Sequence, residues 1–518
     1  MDDTYADVIR RNARRYRDVD AFVCGDRKVT HGEFLEQATR IARAFTASGI
    51  RPQDRISILS MNSVEYSLLY GACELAGFIA ATINFRLAGP EIASIVEESQ
   101  PSVLFFEGQY AEMIGEIRDR LSDVADFVVI DGEVPEWATG WGEYLARGDD
   151  ETIALHDPQP DDLAYLIYTS GTTGRPKGVM HDHKYACALA LHCAEGMNLG
   201  SHDRLLLMMP LFHIGAKAIG MAQQWYGGTV HLHRAFDPLA ILTTIERERI
   251  TATHLAPTLI QGLLDVPNIA DFDTSSLKSL IYSAASMPPA LLARGLEAFG
   301  PIFVQMYGQT EGILTILPKS AHVLDGNPVT LDRLASVGHA FIGTEVTVRD
   351  EHNQEVPVGE VGELCTRGDM IMRGYWNNQP GTIAALEGGW LHSGDIGRMD
   401  EGGYFWMVDR KKDMIVSGGE NIYSREVEEA LMTHPAVHQA AVVAKPDPKW
   451  GESVCAIVAL RPDESVSEEA LIAHCRQQIA AYKRPRSIIF IDAMPLLANG
   501  KINKVALREQ YIGRADTA

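Results

Sequence analysis

The sequence predicts an α/β protein: a large N-terminal domain of layered α/β subdomains with a β-barrel-like subdomain, then a small α+β C-terminal domain. Three patterns predict it. Apolar runs of strand length alternate with helix-length amphipathic segments through more than half of the chain, the rhythm of parallel sheets covered by helices. From about Val337 to Asp409, short strand-like runs are separated by glycine turns, as in Gly359-Glu360-Val361-Gly362-Glu363-Leu364, which suits antiparallel or barrel-like pairing. Beyond the charged turn Asp409-Arg410-Lys411-Lys412-Asp413 lies a stretch of helix and strand large enough for a small domain.

The elements follow in order. An amphipathic segment starts at His31-Gly32-Glu33-Phe34 and runs to Ser48. Strands are expected at Arg55 to Leu59, Phe78 to Ile83, Val103 to Phe106 and Phe127 to Ile130, with a helix over Ser63 to Ala76. Further strands are expected at Leu163 to Tyr168, Arg204 to Pro210, Thr253 to Ala256, Ser279 to Tyr282 and Ile302 to Tyr307, with a helix from Pro238 to Glu248. In the C-terminal stretch the pattern gives a helix over Arg425 to Met432, strands over Gln439 to Ala444 and Val454 to Leu460, and a helix from Ser467 to Ala480. The domains read as residues 1–410 and 411–518.

Length and composition set bounds. A chain of 518 residues exceeds one ordinary core. The charge balance, 46 − 69 = −23, argues against non-specific nucleic-acid binding, which needs a basic face, but leaves room for a local anion site. No basic-then-apolar leader follows Met1, and no run approaches the ~18 apolar residues of a membrane span. The seven cysteines (Cys24, Cys73, Cys187, Cys193, Cys365, Cys455, Cys475) lack metal spacing and read as reduced, buried thiols of a cytoplasmic protein.

Chemistry concentrates first in Thr169-Ser170-Gly171-Thr172-Thr173-Gly174-Arg175-Pro176-Lys177-Gly178, directly after the strand ending at Tyr168. Glycines let backbone N–H groups turn inward, while hydroxyls and Lys177 add donors and charge, a combination suited to a polyphosphate. A plain Gly/Thr turn is the bland alternative, and the Walker pattern is absent. Later come Tyr307-Gly308-Gln309-Thr310-Glu311-Gly312, Ser393-Gly394-Asp395, Asp409-Arg410-Lys411-Lys412-Asp413 followed by Ser417-Gly418-Gly419-Glu420-Asn421, and Asn499-Gly500-Lys501.

In this order, over nearly the whole chain, these motifs resemble the acyl-adenylating enzymes: acyl-CoA synthetases, peptide-synthetase adenylation domains and beetle luciferases. The chain is most similar to bacterial fatty-acid and aromatic-acid CoA ligases. The resemblance implies an ATP-dependent carboxylic acid:CoA ligase that forms an acyl-adenylate, then a thioester, using ATP, Mg2+ and coenzyme A. It implies that Thr169, Ser170, Gly171, Thr172, Thr173, Gly174 and Lys177 close over the β- and γ-phosphates. Thr310 contacts the α-phosphate and Glu311 holds Mg2+. Tyr307, with Gly308 and Gln309 beside it, lies against adenine, with Ser283, Ala284 and Ala285 on the other side, where many relatives carry glycine. Asp395 and Arg410 serve the ribose, and Lys501 reaches the bridging oxygens during adenylation. Rotation of a mobile C-terminal domain about a hinge near Lys412 then brings Gly418 and Gly419 to the pantetheine arm. Ser424 stands where many relatives carry proline, so a looser turn is expected there. Trp450, Lys445 and the Lys483-Arg484-Pro485-Arg486 run are expected near the coenzyme A nucleotide.

Pro210-Leu211-Phe212-His213-Ile214-Gly215 matches the segment leading into the acyl pocket, with His213 near the carboxylate. Lys217 shares a helix face with His213 and is expected either to meet a polar group on the acid or to reach solvent. Met221, Trp225 and Tyr226 line the pocket or the core. The alternative function is a stand-alone enzyme loading a carrier protein. With 518 − 501 = 17 residues after Lys501, a fused downstream carrier is not expected. A luciferase-like oxygenase shares the motifs, and a dead scaffold would not keep Lys177, Glu311, Asp395, Arg410 and Lys501 together. A homodimer is the base-rate expectation.

Overall fold

In the computed structural model, the structure describes residues 4–169, 176–285, 287–417, 420–476, 478–496 and 502–512. The chain separates into two compact units: Met1–Val346, Cys365–Leu391 and Gly403–Phe405 form the first, and Thr347–Leu364, His392–Gly402 and Trp406–Ala518 the second.

Two sheets build the first unit. One has eight strands in the order Gly374–Tyr375, Lys177–Asp182, Leu163–Thr169, Ile79–Thr82, Arg55–Leu59, Val103–Phe106, Asp126–Val129 and Thr139–Gly140. From Leu163–Thr169 onward its pairs are parallel. The other has nine strands. Its six central strands, Phe303–Gln309, Ser279–Tyr282, Ala252–Leu255, Arg204–Leu207, Thr229–Leu232 and Asp20–Cys24, pair in parallel. Both faces of such strands are covered by helices, which is why they read as near-continuous apolar runs. Six of the seven cysteines are buried and Cys24 is half-buried; all are thiols outside any disulfide.

The short-strand region gives a four-stranded sheet of Thr344–Arg349, Gly362–Gly368, Leu391–Met399 and Phe405–Arg410. The second unit also holds a sheet in the order Glu420–Ile422, Ile415–Ser417, Gly451–Leu460 and Val437–Asp447, with Ser487–Ile491 paired to Gly451–Leu460. The long hairpin outruns its apolar stretches because backbone pairing continues through Lys445–Ser453, Pro446–Glu452 and Asp447–Gly451, where side chains need no core. The helix expected from Ser467 spans Glu468–Cys475. No helix among the described residues is long and apolar enough to cross a membrane.

Lys217 takes a course that neither sequence expectation foresaw. It is 8% exposed, and its Nζ lies 2.6 Å from Glu74 Oε1, which also accepts from Tyr165 Oη at 2.5 Å. The rings of Tyr70, Tyr165 and Tyr5 surround the ammonium at 4.0, 5.1 and 5.6 Å. Burial lowers the Lys217 pKa from its ordinary value, against the opposing pull of Glu74. The pair pins helix Ile214–Trp225 to helix Val64–Ala76 beside a cavity of about 30 Å³, room for a water. Met221 and Trp225 are buried in the same core.

Removing one partner of such a pair strands the other charge. Lys217→Met should destabilise the protein by about 3–5 kcal/mol in urea unfolding, and Lys217→Met with Glu74→Leu should recover much of that loss.

Candidate active site

Two hairpins of the first unit present the predicted phosphate-binding residues. Leu163–Thr169 and Lys177–Asp182 pair antiparallel, with Thr169 opposite Lys177 at the last rung. Register alone therefore sets Lys177 beside the strand end from which the glycine- and hydroxyl-rich loop departs. Ser170, Gly171, Thr172, Thr173 and Gly174 lie outside the described residues, as do Gly418, Gly419 and Lys501. In the second hairpin Gln309 pairs with Gly312, which leaves Thr310 and Glu311 as its two-residue tip.

Tyr375, which the sequence reading missed, joins these hairpins. Its short strand pairs with Lys177–Asp182, placing Tyr375 opposite Val179. Its hydroxyl donates to Glu311 Oε1 at 2.8 Å, and Lys177 Nζ lies 4.8 Å from its ring centroid. The backbone adds a further tie, Met372 N–H to the Glu311 carbonyl at 2.8 Å. Burial, then the Glu311 carboxylate, raises the Tyr375 pKa strongly, so the phenol stays a proton donor. A carboxylate held by one neutral donor keeps lone pairs for another ligand. That fits Mg2+, which takes one or two carboxylates plus substrate phosphates.

The stretch expected to flank adenine begins where strand Ser279–Tyr282 ends. Ser283 Oγ lies 2.8 Å from His254 Nε2. Ala284 has φ 72°, a left-handed conformation that costs an L-residue roughly 1–2 kcal/mol and that glycine adopts freely. The alanine at this position thus carries a backbone penalty, and Ala284 and Ala285 are exposed. Tyr307 is buried on the strand that carries Gly308 and Gln309.

The acyl segment is fixed by its backbone. Asn62 Oδ1 accepts from Leu211 N–H at 2.8 Å, while Tyr70 Oη and Thr82 Oγ1 donate to the carbonyls of Leu211 at 2.9 Å and Phe212 at 3.1 Å. His213 follows as the N-cap of helix Ile214–Trp225, half-buried, its ring centroid 4.3 Å from that of Phe212.

The second unit carries Asp395 and Arg410, the residues expected to serve the ribose. Asp395 is buried, and Arg410 Nε lies 3.2 Å from its Oδ1. Gly394 before it has φ 71° with open space around a Cβ position, so the requirement for glycine is conformational alone. Glu363 holds this turn: Gly394 N–H donates to its Oε1 at 2.9 Å, while His392 Nδ1 and Lys411 Nζ lie 3.1 and 3.0 Å from Oε2. Burial pushes the Glu363 pKa up, but its partners outweigh that and hold it below the ordinary value. Burial also lowers the pKa of Lys412.

The turn at Ser424 is tight, where the sequence suggested looseness. Ser424 N–H and Oγ both reach the Asp409 carboxylate, the hydroxyl at 3.0 Å, and Lys504 Nζ donates to Ser424 Oγ at 2.8 Å. A proline would lack that N–H. Trp450 lies between Lys449 and Arg486, with cation–ring distances of 4.7 and 5.0 Å, whereas Lys483 is engaged by Glu426 at 2.8 Å.

Comparison with known proteins finds matches over nearly the whole chain. Residues 9–376 match the AMP-binding enzyme family and residues 426–501 the AMP-binding enzyme C-terminal domain. The chain is 36% identical to a feruloyl-CoA synthase of an Amycolatopsis species, over 97% of this chain and 98% of that one. It is 35% identical to the long-chain-fatty-acid–CoA ligase FadD13 of Mycobacterium tuberculosis, over 94% of each. Among solved structures, the amide bond synthetase McbA from Marinactinospora thermotolerans superposes with a TM-score of 0.87 at 30% identity, covering 98% of this chain and 100% of that one.

Tyr375→Phe should keep the fold but raise the Mg2+ concentration needed for half-maximal ATP binding, by roughly 3–10-fold, the net value of one ordinary hydrogen bond; calorimetric titration reads it. Because the Glu363 pKa is depressed in the folded protein, its charged form stabilises above the ordinary carboxylate pKa of 4.5. The stability difference between the wild type and Glu363→Gln should be constant above about pH 5 and shrink as the pH falls below that, measured by thermal melts across pH.

Proposed function

The chain belongs to the AMP-binding enzyme family and is an AMP-forming acid–thiol ligase, a carboxylic acid:CoA ligase, and from that premise we propose how its residues divide the work. A carboxylate has no good leaving group. Its oxygen attacks the α-phosphorus of ATP, the bond to the β-phosphate breaks, and pyrophosphate departs, leaving an acyl-adenylate. The thiol sulfur of coenzyme A then bonds to the acyl carbon, the thiol proton is lost, and AMP leaves.

Lys177 and the loop from Thr169 bind the β- and γ-phosphates, and Thr310 meets the α-phosphate. Glu311 would hold Mg2+, which neutralises phosphate charge when bound. Tyr307 and the stretch from Ser283 to Ala285 flank adenine, Asp395 accepts from the ribose hydroxyls, and Arg410 donates beside it. His213 orients the carboxylate. Lys501 places positive charge where negative charge gathers during adenylation. The C-terminal domain then turns about Lys412, so that Gly418 and Gly419 approach the pantetheine arm and Trp450 the coenzyme A nucleotide. A cytoplasmic setting suits the seven thiols outside any disulfide. The single observation that supports this reading most is the Lys177–Tyr375–Glu311 cluster, a cation and a carboxylate held together at two hairpin ends. Loading of a carrier protein is the weaker alternative.

The test is pyrophosphate release over a panel of fatty, aromatic, alicyclic and dicarboxylic acids with ATP and Mg2+, with and without coenzyme A. A thioester of the expected mass, formed in step with AMP, is the predicted result. Pyrophosphate without thioester would defeat the coenzyme A assignment. Lys501→Ala should slow the first step by about 10²–10³-fold while sparing thioester formation from supplied acyl-adenylate.

A further inference from the structure

Both aspartates that bound the charged turn Asp409-Arg410-Lys411-Lys412-Asp413 are engaged by the segment that follows Lys501, and all of these residues lie in the second unit. Leu496 and Ile502 form a bridge, and Asn503 N–H donates to the Pro495 carbonyl at 2.8 Å, so the chain is held from Ile502 onward. Asn503 Oδ1 then accepts from Ala506 N–H at 3.0 Å and starts the short helix Lys504–Leu507. Leu507 is fully buried in one core with Ala441, Val443 and Ile457.

Apolar packing fixes where this helix lies, and its two flanking cations fix how it is turned. Lys504 Nζ lies 2.6 Å from Glu428 Oε1 and donates to Ser424 Oγ at 2.8 Å. Ser424 Oγ passes the contact on by donating to Asp409 Oδ1 at 3.0 Å. The same Asp409 oxygen accepts from Arg410 N–H at 2.7 Å. Arg508 reaches the other end of the turn, Asp413 Oδ1, at 2.5 Å. A buried Lys–Glu pair gains little net stability over apolar side chains of the same volume, because desolvation offsets the attraction. What it adds is direction. Arg410 follows Asp409 directly and Lys501 stands three residues before Lys504, so one carboxylate sets the backbone on which two cations are carried.

We propose that Lys504 is a positioning residue for the first step: through Ser424 and Asp409 it sets the segment carrying Lys501 in register with Arg410, so that both cations meet the nucleotide together during adenylation. The inference rests on the role given to Lys501 above. The thioester step, from which Lys501 withdraws, does not depend on Lys504.

The test separates the two steps, with the panel acid that the wild type activates fastest. Single-turnover pyrophosphate release reads the first, and thioester formation from the synthetic acyl-adenylate and coenzyme A reads the second. Lys504→Met should slow the first step by about 10–100-fold, the effect of a misplaced catalytic group, and leave the second within about twofold of the wild type. Ser424→Ala keeps the backbone N–H on Asp409 and the Lys504–Glu428 pair. It should slow the first step by about 3–10-fold, the net value of one hydrogen bond, and again spare the second. A variant that slows both steps alike marks a fold anchor and overturns the inference. So does a Ser424→Ala enzyme whose first step runs at the wild-type rate, an outcome that can be read even where Lys504→Met does not fold. Lys501→Ala is the control. If it too leaves the first step untouched, the role of Lys501 fails together with the inference; a slow Lys501→Ala beside a full-rate Ser424→Ala removes the inference alone.

Discussion

A single phenol joins the residues proposed to serve the phosphates and Mg2+. Tyr375 touches the Glu311 carboxylate with its hydroxyl and the Lys177 ammonium with its ring, and its own strand is paired to the strand of Lys177. Without it a carboxylate and an ammonium on separate hairpins would be free to collapse into a plain ion pair. With it they are held apart yet close, each retaining capacity for a ligand. Parallel strands covered on both faces bury their middles, so only the turns at their ends are open to solvent and able to host polar chemistry. The residues proposed for phosphate, adenine and acyl binding all sit at such ends.

The second unit solves a related problem with two carboxylates. Glu363 gathers Gly394 N–H, His392 and Lys411, fixing the turn that presents Asp395. Asp409 gathers the backbone and hydroxyl of Ser424, which also receives Lys504, three residues beyond Lys501. Lys504 in turn lies 2.6 Å from Glu428. Ser424 thus anchors both the start of helix Ser424–Met432 and the described segment that carries Lys504.

The buried pair Lys217–Glu74 shows how charge can serve architecture beside a site. Lys217 is the lone charge of its helix, and Glu74 sits near the end of a helix that is otherwise apolar beyond Glu65; that mutual oddity was the available signal for the pair. Read singly, Lys217 suggested a ligand contact or solvent. A second helix, 143 residues away in sequence, supplied the partner.

The sequence by itself determined the strand–helix rhythm, because periodicity and burial are local properties, and the order of the motifs, because residue types with phosphate chemistry cluster visibly. Helix Pro238–Glu248 and strand Ser279–Tyr282 stand where their patterns place them. It could not determine which residues meet across elements. Tyr375, Glu363 and His254 carry no motif; each matters through a partner 64, 31 or 29 residues away. Nor could it reveal that Ala284 would take a left-handed backbone or that Ser424 would tighten its turn. Those outcomes depend on register and on which side chains the packing brings within hydrogen-bond reach, and tertiary structure alone decides both.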